Sequence, residues 1–511
     1  MRIFSFRYVI LAFLGLSVIG TLITFYNYLC NGRKETNSPN SVQNKNYDIR
    51  KGSNKEDAKK SSDTTSDSGS SKASESFFNC FCIVTNLRKI LQTSTNEDPL
   101  SCLFGMRSLS TMWVIFCHCI AFYCGALKGV DNIEIFNKWY GQFLLNAHSV
   151  ITAFFLLGGF LNAFLFLSYY EKTNGKIPYV LYYLNRVIRI SPLYMLVYGF
   201  STYLYSYTGS GPLWPRYTIN TLCRDTWWQN LFYITNLWSV YNQCLPWGWY
   251  VMVDMQLYII SPLFLVPLIK WPKLGYSLII TAILGGSLAS YILTLQYNLG
   301  SGISSFGPKN QGFYSTVSQF WEYFDKLYAQ PYTRISPYLI GFLLAHYVYK
   351  RRMNKTAKES KLTLLCGWII STVLMGIFVF ALYGRDVTTW DIAVYNGVKE
   401  IFFSCGFGWI VYVCVTGQAG ILNTFLSWKY FAPLSRICFS AYLINFIIII
   451  RYYFQADKLE TPILLPLVYQ MAHVFSLTFL FSFLISLIFE FPVARLFTSC
   501  VKSKTKMEKK D

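Results

Sequence analysis

The chain has 511 residues, of which 53% are hydrophobic, 19% aromatic and only 14% charged; soluble domains average about 25% charged residues, so a water-soluble globular protein is excluded. The formal net charge of +20 is spread in short basic clusters between apolar runs. That is the positive-inside pattern of a multi-pass membrane protein, and it excludes a nucleic-acid-binding surface. The expected fold class is an all-α polytopic membrane protein.

Arg2 and Arg7 precede an apolar run from about Tyr8 to Leu29, long enough to cross a bilayer. The run is long for a cleaved signal peptide, so residues 1–30 are read as an uncleaved anchor. Residues 31–76 are polar and include the low-complexity piece SSDTTSDSGSSKASES, which cannot bury a core; they are expected to form a disordered linker. From residue 77 to 496 the chain is a membrane domain, followed by a basic tail, 497–511. Ten further spans are predicted, beginning near Leu109, Phe143, Ile190, Gly248, Tyr276, Ile335, Leu362, Ile401, Ile437 and Ile463, which makes eleven in all.

Charge predicts the orientation. Loops after the third, fifth, seventh, ninth and eleventh spans hold twenty basic residues, including Lys172, Lys176, Lys270, Lys273 and the cluster that starts at Lys350, against eleven on the other side. The richer side is expected to be cytoplasmic, together with the linker and the tail, although Arg2 and Arg7 pull the other way. The one Asn-x-Ser/Thr sequon, at Asn354, then faces the cytosol and should carry no glycan. Cys223 and Cys244 share one polar loop on the opposite side, where a disulfide between them would persist. The remaining cysteines fall mostly in apolar runs without paired spacing, and no metal site is expected.

The stretch around which the domain is organised is GMRSLSTMWVIFCHCIAFYCGA, Gly105 to Ala126. Arg107 and His118 are eleven residues apart, which at about 100° per residue is three turns, so both project from one helix face about 16 Å apart. An ionisable side chain at membrane depth costs a few kcal/mol unless it meets protein, water or a ligand, which makes function the leading reading; helix packing for the histidine and snorkelling for the arginine are the bland alternatives. Arg186 and Arg189 lie three residues apart in LNRVIRISPLY, ahead of Pro192, and could meet phosphates at the mouth of the bundle or simply anchor it. Asp254, inside WGWYVMVDMQLYIISP, is expected to orient His118 or to bind an arginine. A second RISP, Arg334 to Pro337, is read as another helix start. His148, His346 and His473 have no ligand spacing and are read as packing or interfacial residues. No hydrolase elbow or Walker motif accompanies them.

These blocks, with TNLRKIL, AFFLLGGFL, PYTRISPYLIG, LSRICFSAYLIN and FEFPVARL in the same order, resemble the acyltransferase-3 superfamily, in its animal branch, the nose resistant to fluoxetine family. The resemblance implies a ten-helix core after one anchor and transfer of an acyl group from acyl-coenzyme A. It implies an essential arginine and histidine at Arg107 and His118, and donor binding by Arg186 and Arg189. Members of the branch usually carry a cysteine-containing lumenal domain before the anchor, at which this chain begins, so recognition by such a domain is expected to be lost or delegated. LSRICFSAYLIN ends in Asn445 where relatives often show a histidine, which leaves that position without an assigned role.

The expected reaction is O-acyl transfer at a plasma, endoplasmic-reticulum or other endomembrane. Acyl-coenzyme A would enter from the cytosol with its phosphates held by Arg107, Arg186 and Arg189. His118 would accept a proton from the hydroxyl of a lipid or small-molecule acceptor, and Asp254 would tune the site. Cys117 and Cys119 point about 100° to either side of His118, which disfavours an acyl-cysteine route. A transporter of lipids or small molecules that keeps the fold without the chemistry is the rival reading.

Overall fold

The structure is a computed structural model of the whole chain; the description covers residues 2–36, 77–93, 100–126, 138–146, 150–211, 214, 218–301, 313–354, 358–455 and 464–507. Among the described residues the chain is helical and contains no strand. The long helices are α1 (Arg2–Thr36), α2 (Ile83–Leu91), α3 (Cys102–Ala126), α4 (Val150–Lys172), α5 (Tyr179–Tyr203), α6 (Trp249–Lys270), α7 (Pro272–Tyr297), α8 (Pro331–Met353), α9 (Lys361–Phe380), α10 (Thr389–Val415), α11 (Phe431–Phe454), α12 (Leu464–Ile485) and α13 (Phe491–Met507). Nine spans among the described residues are long and apolar enough to cross a membrane; α5 and α8 are long enough but too polar to count among them. The anchor helix runs six residues past its expected end, to Thr36, and the remainder of the expected linker, residues 37–76, lies outside the described residues.

The chain divides into two compact units. One comprises residues 3–90 and 485–511. In it α1 lies tightly against the segment before α2, because Gly20 has no side chain: a Cβ there would come within 2.4 Å of the Phe78 carbonyl oxygen. The Ile83 amide donates to Thr21 Oγ1 at 3.0 Å, and Phe13 packs on Phe489. Arg495 of α13 donates to Asn86 Oδ1 at 2.7 Å, so a basic residue of the C-terminal helix is held by a buried amide of α2.

The other unit, residues 91–484, contains the ten helices α3 to α12. Its closest helix pair is α4 with α8. A Cβ on Gly159 would lie 2.1 Å from the Tyr338 carbonyl oxygen, and one on Gly341 would lie 2.4 Å from that of Leu156. Small residues that let backbones touch are how helices associate where lipid removes the usual hydrophobic drive. Phe155, Leu156, Phe160, Tyr338 and Phe342 fill the seam. Helix α11 runs along α3, with Ser108 donating to the Phe431 carbonyl at 3.3 Å and Tyr453 to that of Cys119 at 3.4 Å. On the outside, Leu284 and Leu288 of α7 and Leu362, Ile369 and Ile370 of α9 are exposed, as lipid-facing residues should be.

Helix boundaries differ from expectation in one consistent way: the charged residues set just outside the apolar runs lie inside the helices. Helix α5 starts at Tyr179, eleven residues before Ile190, and α10 starts at Thr389, twelve before Ile401. The start of α10 is set by a capping box between Thr388 and Asp391. Neither RISP proline marks a first turn: Pro192 is the fourteenth residue of α5 and Pro337 the seventh of α8. Inside a bundle, neighbouring helices and side chains satisfy the carbonyl a proline frees, so proline need not end the helix.

Between α5 and α6 the chain forms short helical turns clasped by the Cys223–Cys244 disulfide. This irregular backbone is tied to both helices. Tyr194 donates to Asn230 Oδ1 at 2.6 Å, Tyr198 to the Cys223 carbonyl, and Gln256 Nε2 to the Tyr233 carbonyl at 2.8 Å. Burial raises the Tyr233 phenol above its ordinary pKa; its hydrogen bond with Ser191 and the nearby Arg186 charge oppose this.

Candidate active site

His118 sits in the fifth turn of α3, on the side facing α11. Its Nδ1 is 2.9 Å from Asn445 Oδ1, and its ring lies 4.2 Å from that of Phe446. Phe446 in turn stacks on Trp247 with centroids 5.2 Å apart and planes within 4° of parallel. The imidazole is therefore fixed by one hydrogen bond and one aromatic neighbour, both from α11. It remains half-buried, and Nε2 has no hydrogen-bond partner among the described residues.

Arg107, three turns earlier, is half-buried as well. Its backbone carbonyl accepts from Thr111 Oγ1 at 2.9 Å, whereas its guanidinium has no ion-pair partner among the described residues. Tyr250 of α6 lies within electrostatic reach of Arg107, Arg186 and Asp254. Its ring also meets that of Tyr442, 5.5 Å away on α11, one turn before Phe446. Tyr250 thus links the guanidinium end of α3 to the aromatic wall beside His118.

Asp254 is brought to Arg186 and not to His118. The two form an ion pair between α6 and α5, with the Asp254 side chain 6% and the Arg186 side chain 25% exposed. Arg186 also lies over the Tyr258 ring, 4.9 Å from its centroid. Of the two partners considered for Asp254, the arginine is the one the fold supplies, and the group that orients His118 is the amide of Asn445. Arg189 is exposed on α5 and has a partner of its own. Of the three arginines considered for phosphate binding, Arg186 is paired with a carboxylate, whereas Arg107 has no ion-pair partner among the described residues. Cys119 is buried beside His118 and Cys117 half-buried, and neither is disulfide-bonded. His346 of α8 bonds to Tyr276 at 2.9 Å, His473 is exposed next to Tyr452, and His148 lies outside the described residues.

A second polar cluster was missed in the sequence. Arg334 of α8 is 1% exposed and donates to Glu400 Oε1 of α10 at 2.7 Å, to Thr152 Oγ1 at 3.3 Å and to the Tyr328 carbonyl at 3.0 Å. Thr152 donates to the other Glu400 oxygen at 2.6 Å. Buried Lys399 donates to Tyr323 and to Asn396, each at 2.8 Å. The Arg334 guanidinium also lies over the rings of Trp249 and Tyr328, at 5.6 and 4.6 Å. Trp249 directly precedes Tyr250, so this cluster braces the helix start that carries Tyr250 and Asp254. The available signal was the capping box, which places Lys399 and Glu400 within α10.

A histidine with one nitrogen open and an arginine without a counter-ion among the described residues, on the same helix face beside a braced aromatic wall, can together hold an anionic ligand and move a proton. The chain is 31% identical over 461 residues to Nose resistant to fluoxetine protein 6 of Caenorhabditis elegans, a match covering 84% of this chain and 55% of that protein. It is 25% identical over 310 residues to Regulator of hypoxia-inducible factor 1 of the same organism, covering 56% and 58% respectively. The chain thus spans rather more than half the length of the curated relatives it matches. No solved structure matches it. Residues 101–491, which contain Arg107, His118, the Arg186–Asp254 pair and the Arg334–Glu400 cluster, match the family model described as the acyltransferase domain, and the chain belongs to the acyltransferase-3 family.

Proposed function

We propose that this protein is an integral-membrane O-acyltransferase that moves an acyl group from acyl-coenzyme A to a hydroxyl of a lipid or small-molecule acceptor. The observation that carries the reading is the state of the two groups on α3: His118 is anchored at Nδ1, and among the described residues its Nε2 has no hydrogen-bond partner and Arg107 no ion-pair partner. An acyltransfer site needs a base for the attacking hydroxyl and a cation for the donor's phosphates, and a single helix presents both. The acceptor oxygen attacks the thioester carbon as His118 takes its proton. The carbon–sulfur bond then breaks, and the same proton returns to the coenzyme A sulfur. Arg107 holds donor phosphate, and Arg186, positioned by Asp254, adds a second cation beside it. The orientation proposed from loop charge, with linker and tail cytoplasmic, places Arg107 nearer the cytosol than His118 and lets the donor enter from that side.

Intramembrane charge at Arg334, Lys399 and Glu400 also suits a transport path, which keeps a lipid or small-molecule transporter as the second reading. To separate the two, purified protein is incubated with labelled acyl-coenzyme A and a lipid extract, beside His118→Ala. Acyl transfer by the native protein and its loss in the variant support the enzyme. Equal background consumption of thioester by both, together with facilitated lipid movement, overturns it.

A further inference from the structure

The amide of Asn445 decides the protonation pattern of His118. Its Nδ2 donates to the Ala441 carbonyl at 3.0 Å and to the Tyr442 carbonyl, both on its own helix. An amide nitrogen has two hydrogens, and both are committed. The flipped amide would set its oxygen against two carbonyl oxygens and lose both bonds in a residue that is 0% exposed. Leaving buried polar groups unpaired in this way costs about 1–3 kcal/mol each. The oxygen therefore faces His118 Nδ1, 2.9 Å away. An amide oxygen only accepts, so Nδ1 carries the hydrogen. A neutral imidazole has one such hydrogen, and Nε2 is left bare.

We infer that Asn445 is a positioning residue that holds His118 in the Nδ1–H tautomer, so that the Nε2 lone pair is the one offered to the acceptor hydroxyl. Its role in turnover rests on the acyltransferase reading; the tautomer does not. In the step so described, the hydroxyl proton passes to Nε2 as the new carbon–oxygen bond forms, while Nδ1–H stays on Asn445. When the carbon–sulfur bond breaks, Nε2 returns the proton to the sulfur and the starting tautomer is restored. A neutral amide orients the ring without adding a carboxylate that would hold the imidazolium and delay that return. Phe446 supports the same ring placement from one side.

The test is nitrogen NMR of the full-length protein labelled with ¹⁵N-histidine, in which the His118 signals are those missing from His118→Gln. The expected result is a protonated Nδ1 and an unprotonated Nε2. Asn445→Leu should abolish that bias and lower turnover about 100-fold, the contribution of a correctly poised base. Asn445→Asp, which keeps an acceptor oxygen opposite Nδ1 but adds the carboxylate that holds the imidazolium, should retain the tautomer and recover only part of the turnover. A native His118 protonated at Nε2, or an unchanged tautomer in Asn445→Leu, overturns the assignment. An Nδ1–H imidazole in a protein that transfers no acyl group supports the assignment while overturning the reading on which its role in turnover rests.

Discussion

Replacing Glu400 by glutamine tests whether the buried cluster is a structural brace. The carboxylate lies 2.7 Å from the Arg334 guanidinium, with side chains 9% and 1% exposed. At an effective dielectric constant of about 20, that separation corresponds to roughly 6 kcal/mol of attraction, much of it offset by the loss of hydration. Glutamine keeps the volume but sets an amide against Thr152 and Arg334, and it leaves Arg334 and Lys399 buried without a nearby anion. Breaking one side of such a pair costs about 3–5 kcal/mol. The assay is thermal unfolding of detergent-purified protein, where a loss of that size should lower the midpoint by roughly 3–5 °C. The double variant Arg334→Met with Glu400→Met should recover the share of the loss due to Arg334, because it removes that ion pair together, while Lys399 still lacks its anion. A Glu400→Gln protein that melts with the native one would refute the argument, since the pair would then add nothing to stability.

Three further outcomes follow from the same geometry. Arg107→Ala should raise KM for acyl-coenzyme A about 10- to 100-fold, the worth of one charge-assisted hydrogen bond, and barely change the melting temperature, because no ion pair is lost; kinetics and melting on one preparation check both halves. Gly159→Val should fail to give a monodisperse protein on size-exclusion chromatography, because the first added carbon would lie 2.1 Å from the Tyr338 carbonyl oxygen. Cys223→Ser should free the Cys244 thiol for maleimide labelling of the denatured protein, which the native disulfide blocks, and should cost about 3 kcal/mol for a link closing 21 residues of chain.

The membrane class and the shared face of Arg107 and His118 were legible because each depends on local composition or on the helical period alone, whereas nine spans among the described residues, against the eleven expected, are long and apolar enough to cross a membrane. Span starts were less legible, and the errors share one cause. Hydropathy places a boundary just beyond a charged residue, so it sets starts at Ile190, Ile335 and Ile401 and leaves Arg186, Arg334, Lys399 and Glu400 outside. In the folded chain all four lie within helices, because a charge that meets its partner or a hydroxyl can be buried.

Composition and period by themselves determined that this chain is a helical membrane protein with an arginine and a histidine on one wall. Tertiary structure alone decided what those residues meet: Asn445 reaches His118 across 327 positions of sequence, Asp254 reaches Arg186 across 68, and Glu400 reaches Arg334 across 66. A helical repeat relates residues three or four apart and carries no information on which distant helix lies opposite. The small residues that let α4 and α8 touch, and the satisfaction of each buried charge, select those partners.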